Sequence, residues 1–491
     1  MQATTFAFRA ANRNLGAAVL CLLALLIAPL AANAQVLYGS LTGNVVDPAN
    51  AAVAGAKVEA QNVATGVEKR ATTDERGSFA FGDLQTGTYK LTITAASFRT
   101  LVREGVVVNA NTVVRADARL EISQVSESVT VSAASVALQS DRADVNMQIQ
   151  KSMVANLPIN SPGRNFQSLY RLVPGITPPA EANSDAGNPQ RALTTYVNGV
   201  TNGTNSTRLD GATVTYPWLV HNIAYVPPAD AVETVNIVTN SFDAEQGMAG
   251  GSAVNVTIKS GTNSLHGSLH DFNTNSRFNA RNYFYCLYSC SGDPNQPPKN
   301  IYNQFGGTFG GPIKKNKLFF FGDWERTTRR QTASTFYTVA TDALKSGDFS
   351  GTGASIYDPA SGNADGTGRT LFPNSRIPTS RFDSAVVTMN ALLPNPTQSG
   401  LSSNYLATGV YKFNRDNFDI KVNYNPTDRS SMFARYSMSP SSIYDPPGLG
   451  QAGGSAINGG QPGNAPGRVQ TVAVGGTYTL SSRIVVDGNV G

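Results

Sequence analysis

Three histidines and two of the three cysteines are the residues whose types most readily do chemistry here. His266 and His270 stand four apart in LHGSLH, and His221 is remote in sequence. A zinc site needs a compact set of three or four nitrogen, sulfur or carboxylate ligands. No third ligand lies near this pair, so we read them as two histidines on a polar strand face. Cys286 and Cys290 lie in YFYCLYSCSGDPNQPP, a loop by composition. In an exported chain such a short-spaced pair suggests a local disulfide. The chain has no HxxE or HExxH metal motif, no nucleophile elbow, no P-loop and no paired-carboxylate motif that stands out. Neither an enzyme nor a metal or cofactor is therefore expected. Basic clusters with interleaved aromatics are missing too, so nucleic acid is not an expected partner.

The elements that would position such residues are strands. Of 491 residues only 14% are charged and 41% are hydrophobic, and 46 are glycine. That balance favours turn-rich β structure over helices. The N-terminus has Arg9 and Arg13 ahead of LGAAVLCLLALLIAPLA, then Ala32-Asn33-Ala34. A basic start, an apolar core and an A-x-A site predict a secretory signal peptide over 1–34, cut after Ala34. Cleavage lowers the formal charge from +5 to +3. From Tyr38 to about Glu121 short strands and turns alternate, and Tyr89, Leu91 and Ile93 share one face of TYKLTITA. This predicts a small β-sandwich over 35–122. QVSESVTVSAAS follows as a short β-prone linker within 123–140.

Over 141–262 the pattern is mixed. Phe166, Leu169 and Val173 recur at helical spacing until Pro174-Gly175. Two strands with Asn-Gly turns and a strand over 233–239 come next. GGSAVNVTIKSGTNSLHG then reads as a strand, a turn and a joint to something different. Beyond it, DNFDIKVNY sets Phe418, Ile420, Val422 and Tyr424 against Asn417, Asp419, Lys421 and Asn423. Met432, Ala434, Tyr436 and Met438 likewise oppose Arg435 and Ser437, and Trp324 opposes Asp323 and Glu325. Short and long links alternate between these strands. Both features are the signature of a transmembrane β-barrel. In the long link, SRFDSAVVTMNALLP predicts a short helix capped by Ser380. About seven barrel strands are expected to 491, too few to close around a plug, since plugged barrels have about 22. We therefore expect a longer protein, with about 500 further residues by strand count.

Two segments, GSLTGNVVDPANAAVAGAKV and TTDERGSFAFGDLQTGTYKLTITAASF, resemble the carboxypeptidase regulatory-like domain, an accessory sandwich. LPINSPGRNFQSLYRLVPG, VNGV with RLDG, and FDAEQGMAGGSAVNVTIKSGTNSLHGSLHDF resemble the plug of TonB-dependent outer-membrane transporters, in the Oar-like branch. The fold class expected is mainly β: a sandwich, then a mixed α/β plug, then the first strands of an unclosed antiparallel outer-membrane barrel over 263–491.

The resemblance implies an importer of a bulky ligand, an oligosaccharide or a metal chelate, in contact with outer-membrane lipid. The plug and sandwich would lie on the periplasmic side and the long loops outside. A TonB-type periplasmic protein would supply energy by pairing with a Ton box. By position that is Glu127, Ser128, Val129, Thr130 and Val131, through β-augmentation. Gly250, Gly251, Lys259 and Gly261 would mark the plug–barrel joint, with the paired glycines passing close to the barrel wall. Arg164 and Asn165 match the plug pattern as structural residues. A surface adhesin or glycan-binding protein without transport is the alternative.

Overall fold

The computed structural model describes residues 38–122, 128–132, 143–157, 159, 164–242, 249–280, 297–481 and 484–491. The expected signal peptide, Glu127, Cys286 and Cys290 lie outside them. Two sheets form the N-terminal domain. One joins β1 (Gly39–Val46) to β4 (Ser78–Leu84), β7 (Val113–Arg115) and β8 (Ala118–Arg119). The other has β3 (Glu68–Thr72), β2 (Lys57–Asn62), β5 (Gly87–Thr94), β6 (Thr100–Val108) and β9 (Ser128–Ser132), in that order. Alternation decides which residues go inside. Leu41 and Val45 of β1, Phe79 and Phe81 of β4, and Tyr89, Leu91 and Ile93 of β5 fill one core between the sheets. Each such side chain contributes about 1.5–3 kcal/mol by leaving water. Phe79 and Phe81 meet edge to face at 6.1 Å.

The middle domain is built on a five-stranded sheet in the order β10-β15-β16-β13-β14. These strands are β10 (Val145–Gln150), β13 (Ser206–Leu209), β14 (Ala212–Thr213), β15 (Val232–Asn240) and β16 (Ala253–Ile258). A small pair, β11 (Ala180–Glu181) and β12 (Leu193–Thr194), and helix α1 (Lys151–Asn156) complete it. The helical spacing at Phe166 yields a 3-10 helix, Phe166–Leu172, rather than an α-helix. Asn165 caps it by accepting from the Gln167 amide at 2.9 Å. Pro174 forces its predecessor out of helical geometry and so ends it. Phe166, Leu169, Tyr170, Ile237, Val256 and Ile258 lie in the apolar core.

The last part is one antiparallel seven-stranded sheet in sequence order. Its strands are β17 (His266–Asn275), β18 (Asn300–Lys314), β19 (Leu318–Tyr337), β20 (Tyr405–Thr427), β21 (Ser430–Asp445), β22 (Gly463–Ser481) and β23 (Ile484–Val490). Among the described residues it is not closed: β17 and β23 are its edges. Links 315–317 and 428–429 are short, while 276–299, 338–404 and 446–462 are long, so turns gather at one end and long segments at the other. In 338–404 the helix α3 spans Ser384–Leu392, where α2 is Asp342–Lys345. Asp383 rather than Ser380 caps α3, because its carboxylate reaches the Ala385 amide at 2.8 Å while Ser380 lies in a preceding 3-10 turn.

The faces of this sheet sort by polarity in the direction opposite to a soluble core. Asn417, Asp419 and Lys421 are 1%, 4% and 3% exposed, whereas Phe418 and Ile420 are 38% and 53% exposed. The same holds for Arg435 and Ser437 against Met432 and Tyr436, and for Asp323 and Glu325 against Trp324. An apolar outer face with polar residues turned inward is what lipid outside and protein or water inside require.

Candidate functional site

The middle domain sits against the polar face of the seven-stranded sheet, and this seam holds a buried cluster of charges. Its centre is Asp210. The β13–β14 turn puts Asp210 and Gly211 at φ +46° and +79°, the left-handed pair that a tight hairpin demands. That turn aims a fully buried carboxylate at the wall. Lys421 of β20 donates to it at 2.8 Å and also to the Ile258 carbonyl at 2.9 Å. Arg435 Nε of β21 lies 3.2 Å from the second oxygen and is itself wholly buried. Arg435 further donates to Thr471 at 2.9 Å and to Ser437. Ser437 in turn donates to Asp419. Tyr225 of the middle domain donates to Asp419 at 2.6 Å. Burial, then the Asp419 charge, pushes the Tyr225 phenol well above its ordinary value, which keeps it a donor. Asp323 is the register partner of Asp419, so two buried carboxylates face each other across β19 and β20.

A second group lies on β17 and β19. His270 has Nδ1 3.2 Å from Asp230 of the middle domain and Nε2 3.3 Å from Glu325 of the wall. These are ion-pair distances without hydrogen-bond alignment. The Arg164 amide donates to Gln304 of β18 at 2.7 Å, and its guanidinium covers the Phe272 ring at 4.5 Å. Arg164 is thus a contact between domain and wall, while Asn165 is internal to the middle domain. His266 is exposed, and no group of three or more metal-ligating residues occurs among the described residues.

The joint between the two domains is sharper than the sequence implied. A Cβ on Gly261 would collide with the Phe320 and Gly311 carbonyls of the wall. Gly250 and Gly251 do not approach the wall: they lie against Thr204 and Asn205 of their own domain. The close passage therefore falls at Gly261, ten residues later, where the chain crosses onto β17. Lys259 Nζ donates to the Asp230 carbonyl at 2.6 Å, and burial pushes its ammonium pKa down against the pull of Glu233 and Asp230.

At the end with short turns the N-terminal domain is fastened to the rim. Asp83, buried with Lys69 at 2.6 Å, accepts from Thr479 at 3.0 Å and Thr477 at 3.3 Å. Gln85 donates to Ser431 at 2.6 Å, and Asn263 donates to the Ala64 and Thr65 carbonyls. Of the candidate partner strand, Ser128 to Val131 fall in β9, which pairs parallel with β6. At the opposite end, beside the long segments, a cleft of about 200 Å³ is lined by Glu181, Asp185, Arg329, Tyr411, Asp445 and Gln461. Tyr411 donates to Asp185, and Arg191 pairs with Glu181 at 2.5 Å.

Sequence reasoning had turned Lys421, Asp419 and Arg435 to the inner face but had not found Asp210 or Tyr225 as their partners. The one signal was Asp210 in the RLDG stretch. Residues 257–491 match the outer membrane beta barrel domain family, and residues 40–121 match the carboxypeptidase regulatory-like domain family. The chain is 25% identical over 283 residues to the TonB-dependent transporter Oar of Myxococcus xanthus, covering 56% of this chain and 25% of that protein. It thus spans a quarter of that relative's length. Among solved structures it is similar to the outer membrane transporter YddB of Escherichia coli, at 12% identity and TM-score 0.42, covering 68% of this chain and 37% of the other. It is also similar to the ferric enterobactin receptor PfeA of Pseudomonas aeruginosa, at 13% identity and TM-score 0.38, covering 70% and 40%.

Proposed function

We propose that this Oar-like relative of the TonB-dependent transporters, an outer-membrane protein, is the gating part of an energy-driven importer. In this reading residues 141–262 are a plug that blocks the lumen and residues 263–491 are barrel wall and outer loops. The end with short turns faces the periplasm, and the cleft at Asp185 and Tyr411 opens to the outside, where a bulky ligand arrives. The observation that carries the reading is the seam. A domain with its own apolar core is seated on the wall largely through ions and hydrogen bonds. Such contacts are satisfied again by water when the surfaces part, whereas an apolar seam resists parting. A plug that must shift and return needs that kind of surface.

Residues 127–131 are the strand proposed for the TonB-type partner. Its main-chain groups would form a ladder with the partner's strand and carry tension into the plug through residues 132–142. The test is Val129→Pro, which removes one ladder N–H. Capture of the full protein by the partner's purified periplasmic domain should fall at least tenfold, while outer-membrane insertion stays unchanged. Undiminished capture would sink this assignment.

A further inference from the structure

Residues 128–132 stand in two roles that conflict. They are the strand proposed above for the energising partner, and they form the edge strand β9 of the N-terminal domain. Pairing runs parallel from Thr100↔Ser128 to Glu104↔Ser132. A plug drawn toward the periplasm by this strand must move relative to the barrel. The N-terminal domain is tied to that barrel at Asp83, Gln85 and Asn263. Either β9 leaves β6, or the whole domain leaves the rim.

The two joints differ in how they hold. β6 gives β9 only its half-exposed first part, and its buried valines, Val106 and Val108, lie beyond the paired stretch. Parallel ladders are the weaker kind, and an edge strand meets water on its far side. At the rim, by contrast, a buried Lys69–Asp83 pair is bonded to two threonines, and polar contacts repeat at Gln85 and Asn263. Opening the rim must part side-chain contacts at Asp83, Gln85 and Asn263 together, whereas the β6–β9 ladder is one short, half-exposed edge that can peel residue by residue. The ladder yields first. Among the described residues no strand pairs with its outer edge, which leaves room for an incoming strand to add before β9 is detached.

We propose that β6 is a clasp for the pulling strand: it parks residues 128–132 at the barrel rim at rest, and the partner must strip β9 from β6 before tension reaches the plug. The proposal rests on the reading of that strand given above. It assigns the N-terminal domain a mechanical role, since an idle plug is then shielded from stray pulls on its leader.

Val102 and Thr130 are register partners, so Val102→Cys with Thr130→Cys reports the clasp in the full chain. In outer membranes of cells treated with a protonophore, a short oxidant pulse should link most of the protein, read as the joined peptide by mass spectrometry. In energised cells that contain the TonB-type partner, the yield should fall at least threefold. It should recover in energised cells that lack the TonB-type partner. A low yield at rest overturns the clasp, because β9 is then not on β6. Equal yields with and without energy, in a protein whose capture by the partner is abolished by Val129→Pro, overturn it too: the domain then travels with its strand. If Val129→Pro leaves capture intact, the partner reading of the strand fails, and the clasp falls with it, an outcome told apart by the capture assay alone.

Discussion

The interior of the middle domain and the seam around it are both buried, yet they are made of opposite materials. Inside, Phe166, Leu169, Ile237, Val256 and Ile258 pack as hydrocarbon. At the seam, Asp210, Lys421, Arg435, Asp419 and Tyr225 meet as ions and hydrogen bonds. A small apolar contact of Ala212 with Phe433 and Ala473 is the exception, and Phe321 of the wall also reaches the core. Hydrocarbon burial is non-directional and strong, and it holds a unit together. Buried ion pairs give little net stability because both ions lost water to form them. They fix one seating and let go when water returns. The contrast fits the proposed gate, a domain that stays folded on a seat it can leave.

The largest effects should separate these two regions. Phe166→Ala empties core volume and should cost about 3–5 kcal/mol of middle-domain stability. Asp210→Ala strands Lys421 and Arg435 without their anion and should cost about 3–5 kcal/mol, but in seating. Limited proteolysis distinguishes them: the first exposes cleavage sites inside the domain, the second at its surface. Equal digestion patterns would erase the distinction.

A sharper test replaces the ions together. Asp210→Leu with Lys421→Met and Arg435→Met should leave seating unchanged or tighter by about 1–4 kcal/mol. The same variant should resist displacement by the partner, measured as loss of energy-dependent release. Seating that is tight and still releasable would mean that seam polarity is incidental. Asp323→Asn is smaller. It replaces one of two facing buried carboxylates with an amide that can donate to the other, and should raise seating stability by about 1–3 kcal/mol in denaturant titrations.

The smallest effect lies far from both regions, in segment 338–404. Ser350 holds Asp348 below the ordinary carboxylate range, Arg381 does so for Asp358, and the Thr367 amide for Asp365. A carboxylate depressed in the folded state stabilises above its unfolded pKa and loses that contribution as pH falls through the folded one. The segment should therefore exchange amide hydrogens faster below about pH 4, the ordinary carboxylate value. Exchange in this segment that stays unchanged through that window would break the expectation.

Much was legible in the chain. Period-2 alternation gave the inner and outer faces of β20 and β21 residue by residue, because a strand's side chains have only two directions to take. Short and long links set which end carries turns. Helix capping was less legible: Asp383 displaced Ser380 because the carboxylate that reaches the first free amide depends on where the preceding turn ends. Gly261 was among the residues read as the joint, but the close passage was attributed to Gly250 and Gly251, since a glycine's sequence position does not say which backbone it passes.

Local pattern therefore determined the strand faces, the order of the three parts and the polarity of the wall. Each of these follows from neighbours within a few residues. Tertiary structure alone decided that Asp210 meets Lys421 and Arg435 across 211 residues or more, and that Ser128–Ser132 lies on Thr100–Glu104. Such pairings join side chains or strands that no periodicity relates. They form only when separate domains come to rest against one another, and that is where the candidate gate is made.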